Sequence, residues 1–176
     1  MDKITNTPRP VSPERQRLHR IFVDALGERV CGVRNLTSRP FTIDIKASFE
    51  SKVNVYLYPA INPPGGRHAS EYKVNLLLQN HKPRTRGNFD FSNYPLLVAY
   101  SEEFDVYILL DAFAHRDFTP NTNVQFRDDV IFAAMLHGTA YMEKDNGEIV
   151  IAATARHLID AIYYRLFDLK PKYGIS

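Results

Sequence analysis

A chain of 176 residues with 44% hydrophobic side chains is long enough to bury a sizeable core, and a formal net charge of +2 does not by itself mark a nucleic-acid binder. No stretch reaches the roughly 20 consecutive apolar residues that a membrane-spanning helix needs, and the start "MDKITNTPRPVSPERQ" lacks the apolar core of a signal peptide, so the expected setting is cytoplasmic with no membrane partner. The single cysteine, Cys31, excludes an internal disulfide and a multi-cysteine zinc knuckle.

Residues 1–12, rich in proline and small polar side chains, read as a flexible N-terminal arm, 13–170 as one α+β domain and 171–176 as a C-terminal tail. The end "LKPKYGIS" suits a linker as well as a chain terminus. In "SPERQRLHRIFVDALGE", Ser12 is placed to cap a helix with Pro13 at its first position, Leu18, Ile21, Phe22, Ala25 and Leu26 recur at helical spacing, and Gly27 is the stop. "FTIDIKASF" then alternates Phe41, Ile43, Ile45, Ala47 and Phe49 with polar positions, as a strand covered on one side does. Strands are expected next at "KVNVYLY", "EYKVNLLL", "YPLLVAYS", "FDVYILLDA" and "TNVQF". "DDVIFAAMLHG" reads as a helix, "GEIVIAAT" as a strand and "ARHLIDAIYYRLFDL" as an amphipathic helix.

Strands grouped without regular intervening helices predict an α+β fold: a curved, mainly antiparallel sheet or pseudobarrel flanked by an N-terminal helix and two C-terminal helices. The segment from Tyr94 to Leu110 is apolar enough that at least one of its strands is expected to be buried on both faces. The charges are uneven. Arg67, Lys73, Lys82, Arg84 and Arg86 face the single acid Glu71 between positions 67 and 86, while the stretch from Glu102 to Asp117 is acidic, which predicts a one-sided basic surface.

Three constellations bear on chemistry. Gly65 and Gly66 of "PPGGR" form neither a dinucleotide fingerprint nor a P-loop, and a turn is the simpler reading. "EYK" places Glu71 and Lys73 on one face of a strand; with Asp44 of "TIDIK" they spell a PD-(D/E)xK-like nuclease that would hold Mg²⁺, the one cofactor any reading here calls for. Asp111, His115 and Asp117 lie close in sequence but lack a second histidine at ligand spacing, and no metal site is expected from them. No nucleophile elbow is present, and nothing ties Cys31 to a base.

A nucleic-acid reading uses more of these features together. Arg67, His68, Lys82, Arg84 and Arg86 suit the phosphate backbone, and Asn88, Asn121, Asn123 and Gln125 suit base edges. Tyr72, Phe89 and Tyr94 are candidate stacking rings for an extruded base. A third reading is a protein-interaction module using a sheet edge or the stripe Ile162, Tyr163, Leu166 and Phe167 of the last helix.

Gly65, Gly66, Arg67, Glu71, Tyr72 and Lys73, then Asp105, Val106 and Asp111, then Asn123, Val124 and Gln125 follow a pattern that resembles the DNA-recognition domain of prokaryotic restriction-modification, or restriction endonuclease-associated, proteins. The resemblance covers about half of the chain and departs from the pattern at "ILLDA", where a tryptophan is expected before the aspartate. It implies a module of host defence that binds double-stranded DNA, reads a sequence or a modified base, lacks its own catalytic set, and works with a nuclease or motor domain or subunit.

Overall fold

The computed structural model describes residues 9–62 and 69–169. Helix α1 (Pro13–Leu26) starts as expected, with Ser12 as cap and Pro13 in its first turn, and Gly27 ends it at a φ of 59°. Among the described residues nine strands follow: β1 (Val30–Arg34), β2 (Phe41–Lys46), β3 (Glu50–Pro59), β4 (Glu71–Leu76), β5 (Tyr94–Ser101), β6 (Val106–Leu110), β7 (Thr122–Arg127), β8 (Thr139–Glu143) and β9 (Ile149–Thr154). Helix α2 (Asp129–His137) separates β7 from β8, and α3 (Leu158–Tyr163) runs on into a wider π-helical turn over Tyr164–Asp168.

Seven strands form one open sheet in the order β1-β2-β3-β5-β6-β9-β8, and β4 pairs with β7 as a separate two-stranded ribbon. The fold is α+β and mainly antiparallel. The exception is β3 with β5, which run parallel from Val53 opposite Tyr94 to Pro59 opposite Tyr100. The sheet does not close into a barrel: β1 and β8 are its two edges.

Period-two alternation sends the side chains of the central strands to two cores. Val53, Val55, Leu57, Leu96, Val98, Tyr107 and Leu109 pack under α1 and α3, where Phe22, Leu26, Leu158 and Ile162 meet them. Tyr56, Tyr58, Leu97, Ala99, Ile108 and Leu110 point the other way, against α2 and the inner face of the ribbon, which contributes Tyr72, Val74, Leu76, Val124 and Phe126. All of β6 and all of β5 but its first residue are buried, in keeping with the apolar run from Tyr94 to Leu110. No helix among the described residues is long and apolar enough to cross a membrane.

Two strands carry no clear sequence signal. Both are edges: β1 and β8 bury little, so neither shows a long apolar run. Within the segment read as an arm, residues 9–12 are placed against the body, with Val11 buried and its N–H donating to the Thr37 carbonyl at 2.8 Å. Residues 1–8 of that segment and the tail 171–176 lie outside the described residues.

Candidate functional site

The ribbon is built by cross-strand register. Tyr72 lies opposite Phe126, Val74 opposite Val124 and Leu76 opposite Thr122 on the inner face; the alternate pairs, Glu71 with Arg127, Lys73 with Gln125 and Asn75 with Asn123, form the outer face. Asn123, Gln125 and Arg127 are exposed, and Glu71, Lys73 and Asn75 are half-buried. Alternation in each strand thus makes one polar strip from two segments about fifty positions apart. A further bridge, Ile61 with Lys73, holds the free side of β4.

The two ends of the strip differ in charge. At the Leu76 and Thr122 end, the chain leaving β4 makes the loop that carries Lys82, Arg84, Arg86 and Asn88, all exposed. This loop is stitched to the segment entering β7: Gly87 and Phe118 exchange backbone hydrogen bonds at 2.8 and 2.9 Å, and Arg86 donates to the Asp117 carbonyl at 2.7 Å while its Nε lies 3.2 Å from the Asp117 carboxylate. His81 braces the loop, its Nε2 lying 2.8 Å from the Thr85 carbonyl and its ring edge-on to Phe118. A Cβ on Gly87 would stand 2.7 Å from Leu78 Cδ1, which is why glycine occupies that crossing. Asn121 turns the chain into β7 with a φ of 63° and donates its N–H to the Leu76 carbonyl at 2.8 Å. At the opposite end, Glu71, Gln125 and Arg127 border an open groove whose far wall is the turn Glu143, Lys144, Asp145 and Asn146. There Arg127 is paired with Asp129 at 3.5 Å.

Lys82, Arg84, Arg86, Asn88, Asn121, Asn123 and Gln125 are therefore gathered along one strip and one end of the ribbon. Arg67 and His68, with Gly65 and Gly66, lie outside the described residues. The rings expected to stack on a base are placed inside: Tyr72 packs on Phe126 at 5.9 Å, Phe89 sits between Tyr56 and Phe118 at 4.8 and 5.0 Å, and Tyr94 is half-buried against Phe113. Burial pushes the Tyr94 hydroxyl up to about 12.

Asp44, Glu71 and Lys73 are not assembled into one centre. Asp44 stands in β2 beside the edge strand, bonded to Arg34 at 2.9 Å with Lys52 at 4.0 Å, and the Arg34 bond holds its carboxyl below the usual range. Glu71 and Lys73 belong to the separate ribbon. Among the described residues no three His, Cys, Asp or Glu side chains are grouped to hold a metal. Asp111, His115 and Asp117 also part company: Asp111 caps the Phe113 N–H, His115 lies 2.9 Å from Glu148, and Asp117 holds Arg86.

Three further polar residues of this region, Asn75, Arg116 and Arg127, escape a reading of the sequence. Arg116 is exposed and lies with its guanidinium 4.5 Å over the Phe91 ring, beside the crossing loops. The alternation after Lys73 is a local signal for Asn75; nothing local signals the β4 to β7 pairing that brings Asn75 to Asn123.

A family model described as Methylase-associated X1 matches residues 51–162, more than half of the chain. The match runs from β3 into α3, takes in both ribbon strands and both crossing loops, and leaves Asp44 outside. No curated protein and no solved structure gives a significant match.

Proposed function

The chain belongs to the methylase-associated X1 family, and from that premise we propose that it is a DNA-recognition module of a restriction-modification system. The tie to such systems comes with the family; duplex DNA as ligand is our reading of the site. The observation that carries it is the outer strip of the ribbon, where Lys73 and Gln125, and Asn75 and Asn123, stand in adjacent cross-strand pairs beside a loop bearing Lys82, Arg84 and Arg86.

The major groove of B-DNA, about 12 Å wide, admits a two-stranded β-ribbon, and Asn or Gln side chains there make bidentate bonds to adenine. Loop cations at one end of the ribbon would reach the flanking phosphates and bring affinity without sequence information. At the other end Glu71, Asp129, Glu143 and Asp145 outnumber Arg127 and Lys144, and that excess of acid would turn the end away from the backbone. A methylase, nuclease or motor partner would supply the chemistry.

The test is fluorescence anisotropy with a randomised duplex pool, unmodified and cytosine-methylated, over a salt series and with or without Mg²⁺. Salt-dependent binding is expected. The pair Asn123→Ala with Gln125→Ala should flatten sequence preference by roughly 1–3 kcal/mol for each base pair no longer read, and Lys82→Ala with Arg84→Ala should weaken all sequences alike. Wild-type protein that ignores duplex DNA at low salt would sink the reading. Mg²⁺-dependent cleavage that disappears in Glu71→Ala would instead promote the nuclease.

A protein-interaction module is the second reading, favoured by one observation. The outer side of α2 and the edge strand β8 leave Leu136 and Tyr141 80% and 70% exposed, with Phe132 and Met135 beside them. Such a face predicts partner binding with little salt dependence.

A further inference from the structure

The seven-stranded sheet ends differently on its two sides. Edge strand β1 is interrupted by a bulge between Val30 and Gly32 and carries the Arg34–Asp44 ion pair, devices that keep an edge from pairing with another chain. Edge strand β8 is regular. Its register with β9 runs unbroken from Thr139 opposite Ala153 to Glu143 opposite Ile149, and "TAYME" holds no lysine or proline, its one charged side chain coming at the last position. Among the described residues no strand lies on its outer side.

Alternation fixes which backbone groups β8 turns outward. The Thr154 N–H donates to the Gly138 carbonyl at 3.0 Å and the Lys144 N–H to the Glu148 carbonyl at 2.8 Å. Even-numbered residues between them therefore bond to β9, and the N–H and C=O of Thr139 and Tyr141 point away from it. The side chains of these two residues stand on the α3 face. There the Tyr141 ring lies 6.2 Å from that of Tyr164, and Thr139 and Tyr141 border, with His137, Ile151, Ala161 and Tyr164, an open, mainly apolar groove of about 490 Å³. Tyr141 is 70% exposed although it borders this groove.

Charge changes sign along the edge. At its start stand His137 and, two positions past Thr154, Arg156, both exposed; His157 there is paired with Asp160 at 3.5 Å. At its end the turn carries Glu143 and Asp145, while the cation between them, Lys144, is bonded to the buried Glu148 at 3.1 Å. An antiparallel copy of the same strand meets each feature with its complement. With Thr139 opposite Tyr141 of the copy, the outward backbone groups bond in two reciprocal pairs, and each Tyr141 falls between positions 137 and 141 of the other chain, at the mouth of its groove. The acidic end of each strand then lies on the basic end of the other, Glu143 across from His137. A parallel copy would put acid on acid.

We propose that β8 is a homodimer interface, in which the strand pairs antiparallel with β8 of a second copy of this chain and joins two seven-stranded sheets into one. The interface uses neither the ribbon nor the loop cations, so it does not rest on the DNA reading. It gives the exposed face around Tyr141 a specific occupant.

The experiment is sedimentation equilibrium of the full chain between roughly 5 and 500 µM. The mean mass should rise from 20.2 kDa toward twice that value. Tyr141→Lys, at an exposed position, replaces the interface ring with a cation set beside the basic end of the partner copy. It should keep the parent's circular-dichroism melt at low concentration and weaken association about tenfold or more. Hydrogen exchange of the wild-type chain is a second readout that needs no variant. The amides of Thr139 and Tyr141 should slow as concentration rises, and those of Ala140 and Met142, already bonded to β9, should hold steady. The mass of one chain throughout the range would overturn the dimer and leave the face to a different protein. Self-association that Tyr141→Lys leaves undiminished, or that exchange at Thr139 and Tyr141 does not follow, would overturn it too, since the copies would then meet elsewhere.

Discussion

Arg84 combines an exposed cation with a left-handed backbone, φ 61°, so its charge and its conformation can be tested apart. Arg84→Gly removes the cation and relieves roughly 1 kcal/mol of backbone strain. Duplex affinity should fall severalfold, with the salt slope smaller by about one, while calorimetry finds a melting temperature no lower than the parent's. Arg86 is different, because its bonds to Asp117 also hold two loops together. Glu148 gives the pH prediction. Burial raises its carboxyl, but the His115 bond and charge, Lys144 and the Asp111 N–H outweigh that and leave it below its ordinary 4.5. A group depressed in the folded state contributes stability above its unfolded pKa and loses it as pH falls through the folded value. Stability should therefore drop as pH falls below that ordinary value of 4.5. Glu148→Gln should be flatter over that window and about 3 kcal/mol less stable at neutral pH, as urea titrations would reveal. None of this is legible in sequence: His115 and Glu148 meet only because β6 and β9 are neighbours. The loop cations, by contrast, are visible as a local run.

Among the elements, the ribbon depends on its inner face. Phe126, 3% exposed, stacks on Tyr72 of the partner strand and belongs to the core between the ribbon and the sheet. Phe126→Ala should cost about 3 kcal/mol, and duplex binding should weaken even at temperatures where the rest of the fold survives; circular dichroism melts beside anisotropy would check both. Tyr72→Phe should leave binding unchanged, since the ring and not its hydroxyl packs. The long elements are legible because capping, helical spacing and alternation are local properties, as at Ser12 and Phe41 to Ile45. The parallel pairing of β3 with β5 is not, because parallel partners share no turn. The hairpin of β8 and β9 does carry a signal: Asn146 and Gly147, the latter at φ 84°, sit between "TAYME" and "IVIAAT".

For the whole molecule, a single seven-stranded sheet is the wall shared by both cores. Neither side can lose its packing without exposing the strands that support the other. Unfolding should therefore be one cooperative transition. A chain without tryptophan makes this easy to follow: Phe22→Trp reports the helical side and Phe126→Trp the ribbon side, and their urea curves should coincide. Separated midpoints would mean that the ribbon side opens by itself.

The ribbon belongs to neither neighbour in sequence: one strand is an excursion between β3 and β5, the other between β6 and α2. Positions 73, 75, 123 and 125 belong to neither core, the last two exposed and the first two half-buried. On the proposed reading these positions are a two-part keypad fixed to an unchanging frame. Rewriting it means altering two distant stretches in step, because each key has its neighbour on the other strand.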